Sequence, residues 1–207
     1  MSTPDGGSRP SDSRASLRRR DAIAEATIAL LRDRGTNDVS VAEIAERAEV
    51  SVATVYNLVG PRDRILSGVL DRYVARIGEA LEVGRPDPAD AALATTPTEV
   101  VQIAVNESLA DPIPLRTVLR ELGPLHLADN KGAGIEALLE PGLLASGLDP
   151  EGAAEAARLI VYSFRGVLLS WAHGLVPDEQ FASDAALATN RLVEAAITTR
   201  EGISRAL

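Results

Sequence analysis

Residues 39–66 read VSVAEIAERAEVSVATVYNLVGPRDRIL, and their spacing predicts two short helices joined by a tight turn. Ser40 is a favourable N-cap, and Glu43 three residues later completes a capping box. Val41, Ile44, Ala45 and Ala48 then mark one apolar face at helical spacing. Ala45 is small, which lets a second helix cross close by. Ala48, Glu49 and Val50 make the turn, Ser51 caps the second helix, and Val55 and Leu58 give that helix its buried side. Between the buried positions lie Val52, Ala53, Thr54, Tyr56 and Asn57, which are small or polar and face outward.

A face of this kind, on the second helix of a helix-turn-helix, is the one that enters the major groove of DNA. Val52 and Ala53 are candidates for contact with a thymine methyl, Asn57 for adenine, and Thr54 for a base edge. Val41 and Ser51, in the first turns of the two helices, complete the candidate set from this stretch. Arg18, Arg19 and Arg20 come just before the first helix, where a basic arm meets phosphates or the minor groove. Arginine at a helix N-terminus opposes the helix dipole, and a nearby anion would offset the mismatch. Ile23, Ala26, Thr27, Leu30 and Leu31 form the buried stripe of this first helix, and Gly35 suits its C-terminal cap.

At these residues the chain resembles the TetR family of transcriptional regulators. The family pattern is met at Gly35, Ser40, Val41, Ile44, Ala45, Ala48, Val50, Ser51, Thr54 and Tyr56, within a resemblance that covers residues 18–72. Arg62 stands where the family usually has Lys, Glu49 where it has a turn Gly, Ala53 where it has a second Gly, and Leu58-Val59 where it has an aromatic pair. A non-glycine residue in a left-handed turn costs about 1 kcal/mol, and Glu49 also brings negative charge near the DNA face. The resemblance implies that Ser40, Thr54, Tyr56 and Arg62 contact phosphates. It also implies that the helix after Pro61 links reader to sensor, and that the middle helices hold a small-molecule cavity.

Composition bounds the remaining possibilities. The 207 residues are 45% hydrophobic but only 3% aromatic, so the core must rest on Ala, Leu, Val and Ile, a mix that favours helices. There is no Cys, which rules out disulfides and thiolate metal sites or nucleophiles. No apolar run is long enough for a membrane span, and the expected location is cytoplasmic. The net charge of −9 is unevenly spread: residues 1–76 carry 12 Arg against 11 acids, and the rest carries 9 bases against 19 acids. DNA binding by such a chain must rely on locally placed arginines and fall steeply with salt. An enzyme is not expected, since no Gly-rich phosphate loop, carboxylate–histidine set or nucleophile turn is present, and no cofactor or metal is expected either.

The expected architecture is all-α with about nine helices. It comprises a disordered tail over 1–17, a three-helix helix-turn-helix domain over 18–64, and an effector-binding and dimerisation domain over 65–207. In the second domain, turns are expected at Lys131–Gly134 and a break at Pro141-Gly142. Ala153, Ala156, Ala157, Ile160, Val161, Phe164, Val167, Leu168 and Trp171 are too many to face a single intramolecular core. With the small-residue stripe of Ala185, Ala188, Leu192, Ala195 and Ala196, they predict a homodimer sealed by a four-helix bundle. Polar residues inside apolar helices are the candidate ligand lining: Asn106, Glu107, Arg116, Arg120, His126, Tyr162, Arg165, Trp171 and His173. The aliphatic composition suits an apolar effector. The expected partners are therefore a near-palindromic DNA operator, a second copy of the chain and a small molecule. The alternative is a helical interaction module of the same fold that has lost specific DNA binding, which Glu49 and the acidic balance favour.

Overall fold

The computed structural model describes residues 14–83, 95–128 and 131–206, with side chains described outside 123–132 and 200–206. Among the described residues there are nine α-helices and no strand. They are α1 (Arg14–Arg34), α2 (Val41–Arg47), α3 (Val52–Leu58), α4 (Arg62–Val83) and α5 (Pro97–Ala110). Then follow α6 (Pro112–Ala128), α7 (Lys131–Ala145), α8 (Pro150–Ala172) and α9 (Asp178–Ala206). No described helix is long and apolar enough to cross a membrane.

Helices α1 to α3 close around Ile23, Ile28, Leu31, Ile44 and Val55, and the start of α4 seals that core with Ile65 and Leu66. The same α4 then runs on, burying Leu70, Tyr73 and Ile77 against α5, α6 and α7. Helix α8 packs on α6, α7 and α9, and α5 packs on α9. One continuous hydrophobic core therefore joins the reader to the C-terminal helices, and α4 belongs to both.

Helix α1 begins at Arg14, so residues 14–17 are helical rather than part of the expected tail, while residues 1–13 lie outside the described residues. Arg18–Arg20 thus sit in the second turn, beyond the strongest part of the N-terminal dipole. Ala24 and Ile28 are also buried, because α1 is covered by α2 and α3 on one side and by α4 and α6 on another. The predicted stripe recorded only one of those sides.

Helix α7 is continuous from Lys131 through Pro141, so neither the expected turn over residues 131–134 nor the break at 141–142 forms. Proline removes one backbone donor from the helix, but Leu139 and Leu143, both fully buried, hold the chain on either side of it. Gly142 is there for space: a Cβ would overlap the carbonyl oxygen of Thr95 and lie 3.0 Å from Pro97 Cδ. That close approach seats α7 on the start of α5, where Thr96 and Glu99 form a capping box around Pro97.

Helix α8 departs from the expectation in another way. Ala153, Ala156, Ala157, Ile160, Val161, Phe164 and Trp171 are all buried within one chain, because three helices surround α8. The apolar surface left uncovered consists of other residues, Leu159 and Tyr162 on α8 and Leu187 on α9, exposed at 43%, 56% and 57%.

Candidate nucleic-acid interface

The reader is built from its caps. Ser40 Oγ accepts from the Glu43 backbone N–H at 3.2 Å, and the Ser40 N–H donates to Glu43 Oε2 at 2.8 Å, which closes the capping box of α2. The Ser40 hydroxyl and backbone N–H, followed by Arg34, hold the Glu43 carboxyl down at about 2. Ser51 Oγ accepts from the Thr54 N–H at 3.0 Å and shares a bond with Thr54 Oγ1 at 2.8 Å, which starts α3. Val55 is buried and Leu58 half-buried, so the opposite face of α3 is free. Val52 and Tyr56 are 40% and 52% exposed, and Ala53 and Asn57 are exposed with them. Val41 differs from the expectation: it is half-buried and packs on the core, so it supports α2 and does not face outward. Arg18 and Arg19 are exposed on α1, as is Arg20, which also lines a groove between α1 and α4.

Arg62 is turned inward. Its Nη1 and Nη2 donate to the carbonyls of Val39 and Asn37, and its Nε donates to Glu121 Oε1 on α6 at 3.1 Å. One guanidinium thus joins the start of α4, the loop that carries the Ser40 cap, and helix α6. A second tie runs from Arg32 at the end of α1 to Asp111 at the start of α6, with Nε at 3.0 Å. Tyr73 donates to the Asp111 carbonyl at 2.9 Å. A third is Glu25 on α1, which accepts from Arg72 at 2.6 Å and from Arg76 at 2.7 Å. Burial would raise the Glu25 carboxyl, and the bonds from the two arginines outweigh it and leave it below its usual value.

A partly open cavity of about 70 Å³ lies behind α4, lined by α4, α5, α6, α7 and α8. Leu70, Tyr73, Ile77, Ala104, Leu115 and Leu119 are among its walls. Of the candidate ligand residues whose side chains are described, only Arg165 lines it. Trp171 is fully buried elsewhere, stacked on Phe181 with ring centres 4.9 Å apart. Arg116 lies over the Trp171 ring at 4.3 Å and bonds Asp178 at 2.8 Å, and Arg120 bonds the Ala172 carbonyl. These two arginines fasten α6 to the end of α8 and the start of α9. Asn106 accepts from Gln102 at 3.1 Å on the exposed side of α5. Glu107 is half-buried but does not line the cavity, Tyr162 and His173 are exposed, and the side chain of His126 lies outside the described residues.

Residues 23–57 match the family profile described as bacterial regulatory proteins, tetR family. The HTH-type transcriptional regulators BetI of Brucella canis and Brucella suis are each 38% identical over 96 residues, 45% of this chain and 45% of theirs. The chain is thus matched over just under half the length of these curated relatives. A TetR transcriptional regulator from Rhodococcus sp. RHA1 superposes with a TM-score of 0.65 at 23% identity, covering 85% of this chain and 96% of its own. A tetR-family regulator from Streptomyces coelicolor superposes with a TM-score of 0.51 at 16% identity, covering 88% and 89%. These two likenesses are of fold.

The helix-turn-helix of this chain is of the TetR type.

The curated relatives are by name HTH-type transcriptional regulators. Within the TetR pattern the clearest departure is Glu49. Its φ is 54°, the one positive φ outside glycine among the described residues. The Val50 N–H bonds the Ala45 carbonyl at 2.9 Å and the Glu49 N–H bonds the Glu46 carbonyl at 3.1 Å. This is the Schellman closure, which prefers glycine at its left-handed position. Helices α7 and α8 end in the same closure with Gly147 and Gly174 at that position. Glu49→Gly is expected to raise the unfolding free energy by about 1 kcal/mol, because relief of the left-handed strain exceeds the extra freedom of glycine in the unfolded chain. Glu49→Gln keeps the strain and removes only the charge. It is expected to leave stability unchanged while tightening DNA binding at low salt. Denaturant melts and DNA titrations of both variants separate backbone strain from charge. A fall in stability for Glu49→Gly would show that the carboxylate holds the turn.

The sequence reading missed Glu121, Asp111 and Glu25. Glu121 lies 59 residues from Arg62, and Asp111 lies 79 from Arg32. No periodicity or cap marks such partners.

Proposed function

We propose that the protein is a dimeric DNA-binding transcriptional regulator, acting as a repressor released from a near-palindromic operator by a small molecule. The observation that carries this reading is the face of α3, where Val52, Ala53, Tyr56 and Asn57 stand exposed on a helix fixed from behind by Val55. Val52, Ala53 and the Thr54 methyl offer apolar contacts to thymine, and Asn57 offers the paired donor and acceptor that adenine takes. Ser40, Tyr56, Arg18, Arg19 and Arg20 would meet the phosphates on either side. Leu159, Tyr162 and Leu187 supply an uncovered apolar surface on α8 and α9, which suits a bundle of four helices from two subunits. The two readers of a dimer would then sit roughly 34–36 Å apart. The effector would occupy the space behind α4, and its entry would shift α4 and the ties that α6 makes to the reader. A differential affinity of about 1–3 kcal/mol between two states suffices for release.

The test is selection of random duplex DNA by the full-length protein at low salt, followed by titration of the enriched sequence at two salt concentrations. A short near-palindrome with a steep salt slope is the expected result. Failure to enrich any sequence above non-specific binding would replace this reading with that of an interaction module.

A further inference from the structure

Two enclosed or partly enclosed spaces are candidates for a ligand. The larger, a groove of about 400 Å³ between α1 and α4, is lined by Arg20, Arg64 and Arg72 as well as Asp21 and Asp71. Its charges are mixed and it selects no ligand class. The cavity behind α4 is different in kind.

Among the described residues its walls are aliphatic or aromatic except at three. Two of these have spent their polar groups: Ser108 Oγ donates to the Ala104 carbonyl at 2.7 Å, and Tyr73 donates to Asp111. The third is Arg165, half-buried on α8 at the edge of the cavity. Its guanidinium lies 5.9 Å from the centre of the exposed Tyr162 ring, and no described carboxylate pairs with it. On its own helix the neighbours one turn away are Val161, Tyr162, Leu168 and Leu169, none of them acidic. The other arginines that tie these helices together are engaged: Arg32 with Asp111, Arg62 with Glu121, Arg72 and Arg76 with Glu25, and Arg116 with Asp178. A half-buried guanidinium beside apolar space is costly to leave without a counter-charge. Its planar fork matches a carboxylate through two parallel bonds.

We propose that this cavity takes a small apolar molecule bearing one carboxylate, with the hydrocarbon among the α4, α5 and α6 side chains and the carboxylate on Arg165. The proposal rests on the effector-cavity reading above and names the ligand's chemical class. At about 70 Å³ the space is roughly half of one that admits benzene, so the ligand widens it on entry. The half-buried members of the lining, Val74, Ile135, Arg165 and Leu168, mark the mouth where this occurs. Gly134 lets α7 pass there, since a Cβ would lie 3.0 Å from Val74 Cγ1.

The experiment is calorimetric titration of the full-length protein with hexanoate, 1-hexanol and hexylamine, three probes of one chain length and different head groups. Binding is read directly and not through DNA, so the outcome does not depend on the release mechanism. Hexanoate is expected to bind at least tenfold more tightly than the other two. Arg165→Met should reduce hexanoate to the level of hexanol, and Leu168→Trp, which plugs the mouth, should abolish binding of all three. Equal binding of hexanol or hexylamine, no binding of hexanoate, or a preference that survives Arg165→Met overturns the proposal. If Leu168→Trp abolishes binding that shows no head-group preference, the cavity reading stands and the carboxylate assignment falls. If hexanoate still binds to Leu168→Trp, the carboxylate sits elsewhere and both fall.

Discussion

Replacing Trp171 with alanine is expected to lower the unfolding free energy by about 3–5 kcal/mol, the range for deleting a large aromatic from a packed core. The side chain is fully buried, and its ring stacks on Phe181 with 20° between planes. Its Nε1 donates to Asp178 Oδ1 at 2.7 Å, the same oxygen that Arg116 holds at 2.8 Å. Alanine therefore opens a void and also strips the Arg116 guanidinium of the ring beneath it. That guanidinium already has one buried nitrogen, Nε, without a partner, so little can compensate. Trp171→Phe restores most of the apolar area and loses only the bond to Asp178, so it should cost about 1–2 kcal/mol. Chemical denaturation of the three proteins gives both numbers. Trp171 does not line the cavity. A Trp171→Ala protein of unchanged stability and altered ligand affinity would restore it to the ligand site.

Replacing Arg62 with methionine is expected to cost about 2 kcal/mol of stability, from lost bonds between a charged donor and two carbonyls. DNA binding should weaken roughly tenfold, about 1.4 kcal/mol of binding free energy, because α2 must then be ordered on the DNA. The carbonyls belong to Asn37 and Val39, directly before the Ser40 cap that starts α2. Without them α2 loses its fixed height against α4. Lys at this position, the usual residue of the family, carries the charge but not the fork. Arg62→Lys should therefore behave like Arg62→Met if the residue is a tie between domains. Full DNA binding by Arg62→Lys would instead make it the phosphate contact that the resemblance implies. Glu121→Gln removes only the charge of a partly exposed pair and should cost less than about 1 kcal/mol. Gel-shift titration and thermal melting of all three variants separate these roles.

Most of the reader was legible because its information is local. The pairs Ser40–Glu43 and Ser51–Thr54 each span three residues, and the chain makes those caps wherever it begins a helix. Gly35 and Glu49 mark helix ends by backbone conformation, with φ of 66° and 54°. Where local signals compete, packing decides. Pro141 and Gly142 resemble a break, yet burial of Leu139 and Leu143 and the close passage over Thr95 keep the helix whole. The apolar run on α8 resembled an interface until three neighbouring helices covered it.

By itself the sequence determined an all-α chain with a capped helix-turn-helix, an exposed α3 face and a linking α4. Caps, turn residues and a 3.6-residue period act within a few residues of one another and need no partner from elsewhere. Only the tertiary structure decided that Arg62 pairs with Glu121, and that Trp171 lies in the junction of α6, α8 and α9. It likewise placed Arg165, alone of the described polar candidates, at the cavity. Those outcomes depend on which distant surfaces meet when α6 and α8 pack. A polar side chain of fixed chemistry becomes a tie, a core group or a ligand contact according to what that packing sets beside it.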